Sequence, residues 1–278
     1  MSPPDQSEMP AAAAKPGSRF LRRSGPLPRR TLILGLQIAI TVALIVGWEI
    51  GARTGAINKF LFSSPSMVWE VLTRRAASGE LLTDIWTTGA ETMLGYVVGA
   101  VGGSIIGLSL WYSRFLSDLS APFIAAIGSI PVLAIAPMTI IWFGTGMMAK
   151  VMIVAFACVV VSLTTSYKGA MRTDPDLIDL MRSFNAPRSQ IFLKLVVPAS
   201  MPWVISGLKL NVGFALVGAI VGEYISSQHG VGHMILLGSS NFSMNIVLAG
   251  IAVVMAMMLV FNGLIGLLEK SVLSWERN

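Results

Sequence analysis

The sequence predicts an all-α integral membrane protein of six transmembrane helices, on three observations: its apolar content, its long apolar runs, and the skew of basic residues about those runs. Of 278 residues, 54% are hydrophobic and 12% charged, and the mean hydropathy is +0.72. A soluble domain of this length carries far more charge. A net charge of +6 could point to nucleic acid, but the basic residues sit beside apolar segments, where membrane topology accounts for them. Nucleic-acid binding is therefore set aside. The single cysteine, Cys158, lies in an apolar run, which allows no intrachain disulfide and no cysteine-based metal cluster.

Residues 1–30 hold six of the fourteen prolines together with Lys15, Arg19, Arg22, Arg23, Arg29 and Arg30. With no apolar period, this stretch is expected to be a disordered basic cytoplasmic tail ahead of one membrane domain over 31–278. Thr31 to Ile50 is long for the apolar region of a secretory signal and reads as a retained first span. The mixed segment from Gly51 to Thr83 contains SSPSMVWEVLTRRAA, a short amphipathic helix after Pro65 at the outer face. Asp84 to Tyr112 forms the second span, in which Gly95, Gly99, Gly103 and Gly107 recur every four residues. Such a stripe lets another helix approach closely.

Leu119 to Phe143 reads as a third span carrying Pro122, Pro131 and Pro137. Proline kinks a span and frees carbonyls that a neighbour or a cavity must satisfy. Gly144 to Gly146 turn the chain, Met147 to Tyr167 make the fourth span, Pro198 to Gly222 the fifth, and Asn245 to Leu268 the sixth. Between the last two, Glu223 to Ser243 reads as a polar re-entrant or outer segment. Fourteen of the twenty basic residues then fall on one side, in the tail, at Arg114, from Lys168 to Lys194 and at the C-terminus. Five, Arg53, Lys59, Arg74, Arg75 and Lys150, fall on the other. The excess marks the cytoplasmic side and places both termini there.

The polar stretch from Asp174 to Lys209 interrupts the apolar runs. Asp174 before Pro175 is a helix-start signal, because the carboxylate accepts from free N–H groups and proline suits the first helical position. Leu177, Ile178, Leu180, Met181 and Phe184 then gather on one face, which is expected to pack, and Asp176, Asp179, Arg182 and Ser183 are presented on the other. Asn185 suits a left-handed helix end, and Pro187 opens a second helix through Lys194.

This spacing resembles the EAA loop of bacterial ABC-importer permeases. Asp179, Asn185, Leu195, Val197 and Pro198 stand where that loop carries Glu, Gly, Ile, Leu and Pro. Asp replaces Glu, Leu180 and Met181 replace two alanines, Asn185 replaces glycine, and the proline alone is retained. Asparagine tolerates the left-handed region, so the turn survives. PASMPWVISGLKL, FLFSSPSMVWEVL and SIPVLAIAPMTIIWFGTG resemble PAALPxxxxGLRL, FLPSPxxVxxxL and SIPxxAxxPLxILWFGxG of the nitrate/taurine/sulfonate subfamily, and HGVG is similar to its SGLG. The resemblance covers about residues 45–270. It implies the type I ABC importer permease fold, with a coupling loop over about 168–197 whose Asp176, Asp179, Arg182, Ser183, Asn185, Ala186 and Pro187 contact an ATPase. It further implies a bacterial inner-membrane location, a second permease copy, two ATPase subunits that use ATP and Mg, and an extracytoplasmic binding protein delivering a small solute such as a sulfonate, nitrate or carboxylate.

The chain itself carries no G-x-x-x-x-G-K-[ST], so no P-loop cradles phosphate here. It also lacks Ser-x-x-Lys, G-x-S-x-G and H-E-x-x-H, so an enzyme reading has no nucleophile, base or metal to build on. His229 and His233 have zinc spacing, but Gly230 and Gly232 lie between them and no third ligand is near, which favours an outer loop. Charges in spans are expensive and mark function, pairing or snorkelling. Glu49 and Lys209, near span ends, suit snorkelling or gating. Glu91 and Glu223, with Asn211, Lys209 and the kink residues Pro131 and Pro137, are the candidates for the translocation path or its gate. An alternative reading is a proton-coupled secondary transporter relaying through Glu91 and Glu223; the internal repeats such folds carry are not visible in this sequence.

Overall fold

The protein is described by a computed structural model over residues 29–272. The expected tail over 1–30, apart from the backbone of Arg29 and Arg30, and the C-terminal Arg277 lie outside the described residues. The described chain is helical and falls into two units, one up to Gly47 and one from Trp48 onward. Helix α1 (Arg29–Arg53) belongs to both. In the first unit its residues 31–46 are exposed, and Leu, Ile and Val point out on nearly every side, the pattern of a helix solvated by lipid.

In the second unit α2 (Lys59–Phe62) is a single turn. Helix α3 (Pro65–Ala77) starts where expected, with the Ser64 hydroxyl accepting from the Met67 N–H at 3.3 Å and proline in the first turn. Helix α4 (Glu80–Tyr96) continues through a π turn (Val97–Val101) into α5 (Gly102–Ser109) and a 3-10 turn (Leu110–Tyr112). The result is one apolar stretch of 33 residues. Helices α6 (Arg114–Gly128) and α7 (Val132–Phe143) follow, then α8 (Met147–Met171), α9 (Pro175–Ser183) and α10 (Arg188–Ile191). A π turn (Phe192–Val196) joins α10 to α11 (Val197–Ser226), and α12 (Val231–Ser240) and α13 (Met244–Val272) complete the order. Among the described residues five helices are long and apolar enough to cross a membrane, and the α6–α7 pair makes a sixth if counted as one broken span.

The glycine stripe explains the core. A Cβ on Gly99 would lie 2.8 Å from Ala155 Cα, and one on Gly107 would lie 2.9 Å from the carbonyl carbon of Leu163. Backbone therefore meets backbone, and the approaching helix that the sequence left unnamed is α8. Contacts step up together, from Gly95 against Val151 to Gly107 against Leu163, so α4–α5 and α8 run parallel. On its other side α8 meets α11 antiparallel: Gly218 faces Val154, Gly207 faces Thr165 and Gly169 faces Trp203. Val154, Cys158, Ala215 and Ala219 fill the buried seam between them. In lipid, where apolar burial between helices gains little, such close van der Waals contact is what holds spans together.

Three expectations are corrected, and one residue gains a setting its sequence position does not show. The third span is not one kinked helix: α6 and α7 meet at 94°, because Pro131 cannot donate in the turn that would join them and takes an extended ψ of 134°. Pro198 does not open the fifth span, since α10, the π turn and α11 form one 39-residue stretch from Arg188 to Ser226. Proline is tolerated there in the first turn of α11 beside the π turn, which has already disrupted the regular ladder. The segment from Glu223 to Ser243, expected as a polar re-entrant or outer segment, is less polar than that and begins later, because Glu223 to Ser226 belong to α11 and Val231–Ser240 form the apolar helix α12. Lys150, counted among the basic residues of the outer side, lies in the first turns of α8, at the end away from α9, and is buried there rather than exposed in a loop.

Substitution at Gly99 tests the close contact. Gly99→Val must push α8 away and should destabilise the protein by about 1–3 kcal/mol, whereas Gly102→Ala, with nothing within 4 Å of the added carbon, should hold or raise stability. Thermal melting of the detergent-solubilised protein separates the two.

Candidate functional site

Two polar places stand out, at opposite ends of α8. The first is α9 and its flanks. The Asp174 carboxylate accepts from the Asp176 N–H at 2.9 Å, which satisfies one of the free donors of the first turn. At the other end Asn185 takes φ 55°, and the Ala186 N–H donates to the Met181 carbonyl at 3.1 Å, the ring closure of a helix ending in the left-handed region. The predicted helix and sharp turn are both present.

What α9 presents differs from expectation. Ile178, Met181 and Ala186 pack against the cluster around Ala170, Ile191 and Val204, but Leu177, Leu180 and Phe184 are 45%, 53% and 79% exposed. The packing face is narrower than the apolar face, because a nine-residue helix lying against one edge of the bundle can bury only about one residue per turn. The presented surface thus combines three large apolar side chains with Asp176, Ser183 and the exposed Asp179–Arg182 pair at 2.9 Å. Its flanks are held by cation-π contacts. Arg172 lies 4.5 Å over Trp203, and Arg188 lies 5.6 Å over Trp111, whose ring also packs on Phe192. The Ser117 and Tyr167 hydroxyls bond nearby. Sequence reasoning missed these arginine anchors, for which aromatic residues far along the chain give no local signal.

The second place is the far end. Asp84, Thr88 and Glu91 sit at i, i+4 and i+7 on α4, a polar stripe in an apolar helix, and all three are buried. The Gly230 N–H donates to Asp84 Oδ1 at 2.8 Å, the Val231 N–H to Thr88 Oγ1 at 2.8 Å, and the Gly232 N–H to Glu223 Oε2 at 2.6 Å. Three successive amides that open α12, a helix with no side-chain cap of its own, are thereby capped from α4 and α11. The Thr88 hydroxyl donates onward to Glu223 Oε1 at 2.6 Å. Carboxylates are favoured at a helix N-terminus because the unpaired amides and the helix dipole are positive there. Gly230, at φ 117°, and Gly232, where an added Cβ would sit 2.8 Å from Glu223 Oε2, give HGVG its glycines.

The remaining charges are paired. Arg75 bonds Asp84 and Glu80 at 3.2 Å each, and Lys150 bonds Glu91 Oε1 at 2.7 Å and Ser227 Oγ at 2.9 Å. A pocket of about 320 Å3 opens over this pair, walled by Trp86, Met147, Gln228 and His229. The other candidates lie apart. Asn211, fully buried, donates to Ser162 Oγ at 2.5 Å across the α8–α11 seam, and Lys209 pairs with Glu269 of α13 at 2.6 Å. Pro131 and Pro137 are exposed on α7 and its approach. Glu49 bonds Arg53 at 2.6 Å and accepts from the Ser66 N–H at 3.0 Å. His229 is exposed while His233 belongs to α12, and among the described residues no group of three or more His, Cys, Asp or Glu could hold a metal ion. Asp84, Thr88, Lys150 and Ser227 went unnoticed as site residues; the i, i+4, i+7 polar stripe was the available signal.

Residues 99–274 match the family described as binding-protein-dependent transport system inner membrane component. The chain belongs to this family. The permease is 30% identical over 223 residues to an ABC transporter permease protein of Haemophilus influenzae, covering 80% of this chain and 90% of that one. It is 27% identical to the riboflavin transport system permease protein RibX of Chloroflexus aurantiacus, over 98% and 99% of the two chains. It is 24% identical to the aliphatic sulfonates transport permease protein SsuC of Bacillus subtilis, over 98% of each. Its fold is similar to the inward-facing MetNI methionine ABC transporter, with a TM-score of 0.62 and 16% identity over 75% of this chain and 99% of that one. The protein is therefore an integral membrane permease subunit of an ABC importer, in the group the subfamily motifs indicated.

Capping of α12 from other helices is directly testable in this permease. Glu223→Ala leaves the Thr88 hydroxyl and the Gly232 N–H without an acceptor, at about 1–3 kcal/mol for each stranded donor. Amide hydrogen exchange over residues 230–234 should accelerate by more than tenfold, and Glu223→Gln should fall between. Unchanged exchange would show that the carboxylate does not hold the loop.

Proposed function

We propose that two copies of the permease form the translocation path, that each docks one ATPase through α9, and that an extracytoplasmic binding protein delivers the solute. The observation that carries the reading is the surface of α9, where Leu177, Leu180 and Phe184 stand out beside the Asp179–Arg182 pair. A protein that exposes large apolar side chains on a polar connecting helix has a partner to cover them. With α9 on the cytoplasmic side, as the basic residues around it favour, the far-end cluster faces outside and both termini lie in the cytoplasm.

ATP-driven closure of the ATPases would displace α9 and, through it, α8 and α11, which flank it in the chain. The 94° break between α6 and α7 supplies a joint that can change angle while those long helices stay straight. Pro131 at that break, Pro137 on exposed α7, and Asn211 and Lys209 along α11 are the residues assigned to the path and its gate. Glu91 and Glu223 act on the gate by holding the α11–α12 loop. Their engagement with Lys150, Thr88 and Gly232 disfavours the proton-relay alternative, which needs carboxylates free to exchange partners.

The solute assigned is a small organic or inorganic anion, with selection left mostly to the binding protein. Relatives named for riboflavin and for aliphatic sulfonates match this chain over 98% of its length, and Lys150 of α8 and Lys209 of α11 are each already paired with a glutamate. A site that itself held an anion tightly would keep a cation free for it.

Phe184→Asp tests the docking surface. The side chain is exposed, so the variant should insert and melt like the wild type, while losing the roughly 1.5–3 kcal/mol that burying a phenylalanine side chain contributes. ATPase activity of the complex in proteoliposomes, stimulated by its binding protein, should fall at least tenfold. Wild-type stimulation would sink the assignment of α9.

A further inference from the structure

Lys150, near the end of α8 away from α9, is buried, and its partners lie on α4 and in the segment just past α11. Lys150 Nζ donates to Glu91 Oε1 on α4 at 2.7 Å and to Ser227 Oγ, just past α11, at 2.9 Å. The lysine and glutamate side chains are 9% and 2% exposed. We propose that Lys150 is a positioning residue for transport: an ammonium clamp that locks the far ends of α4, α8 and α11 into one body, so that displacement applied at α9 reaches the outer face undiminished.

Chain order makes this clamp matter. Helix α9 lies between α8, of 25 residues, and the continuous 39-residue stretch that ends α11. Both rods therefore start at α9 and finish at the cluster. They are tied at three levels: Gly169 against Trp203 near α9, Asn211 to Ser162 midway at 2.5 Å, and Lys150 to Ser227 at the far end. Between these levels the seam is made mostly of small side chains, among them Val154, Cys158, Ala215 and Ala219, whose smooth surfaces resist separation more than sliding. A polar pair in an apolar medium has one favourable register and so opposes sliding. Glu91 extends the tie to α4, and Ser227 extends it to the loop through His229, whose carbonyl accepts from its hydroxyl.

The carboxylates near Lys150 other than Glu91 are already engaged: Glu223 lies within electrostatic reach of both Lys150 and Glu91, but its two oxygens are held elsewhere. Asp84 is engaged by Arg75 and the Gly230 N–H, and Glu223 by the Thr88 hydroxyl and the Gly232 N–H. The clamp is therefore a fixed joint, unlike the α6–α7 break. Only its link to ATP rests on the proposed docking of an ATPase at α9.

Nitroxide pairs read the clamp without any knowledge of the solute. Labels at Met147 and Gln228, both exposed, are placed in a Cys158→Ala background and measured by pulsed electron resonance in nanodiscs. The permease alone should give one narrow distance distribution, unchanged in the ATPase complex with or without ATP and vanadate. Lys150→Met should at least double its width, and Lys150→Arg should restore it. If Lys150→Met does not fold, the double variant Glu91→Gln with Lys150→Gln, which buries no lone charge, carries the same expectation of broadening. A wild-type distance that shifts on vanadate trapping, or a folded charge-free variant as narrow as wild type, would overturn the clamp. A reference pair at Phe115 and Trp142, across the α6–α7 break, reports separately on ATP coupling: if it never moves with nucleotide, the docking proposal fails while the clamp is still decided by the permease alone.

Discussion

The backbone contact of α8 with helices on both of its sides is the constraint from which the rest of the structure follows. On one side Gly99, Gly103 and Gly107 bring α4–α5 against the main chain of α8, and on the other Gly207, Gly218 and Gly222 bring in α11. Small residues at this spacing are what lipid-embedded helices need, since lipid is as apolar as leucine and only shape and hydrogen bonding distinguish neighbours. Polar groups buried where such helices end need protein partners, and Asp84, Thr88 and Glu223 find theirs in the amides that open α12, while Lys150 takes one oxygen of Glu91.

Rigidity on one side of the molecule gives meaning to the break on the other. The α4–α5, α8 and α11 bundle has its ends fixed, at α9 by arginine over tryptophan and at the far end by buried ion pairs and capped amides. Helices α6 and α7 meet each other at 94° and expose Phe115, Phe123, Ile141 and Trp142. A stiff body that carries the proposed docking surface, joined to a pair of helices with a built-in corner, is a mechanical arrangement suited to passing displacement from one end of the protein to the other.

Much of this was legible in the sequence because it is local or periodic. Apolar length marked the spans, the four-residue glycine period marked the tight seam, Asp174–Pro175 marked the start of α9, and Asn185 marked its left-handed end. Proline spacing marked the third span as irregular but not its 94° corner, since one proline can either kink a helix or end it, depending on its neighbours. The exposed side of α9 was misread for a similar reason: helical periodicity says which residues share a face, not how much of that face the bundle can cover. Glu223 and Lys150 were harder still. Their partners lie 135 and 59 positions away, and a charge in a span reads the same whether it caps a helix, pairs with another charge or lines a path.

The central claim is that α9 is the surface through which ATP hydrolysis reaches this permease. Site-specific photo-crosslinking in intact cells tests it most directly, with a benzophenone amino acid at position 184 on α9 and, in a second strain, at position 86 on the far end of α4. Mass spectrometry of the adducts should find a polypeptide bearing a G-x-x-x-x-G-K-[ST] loop joined to position 184 and absent from position 86. Capture of that polypeptide at position 86, or its absence at position 184 while α9 crosslinks only to lipid, would contradict the account.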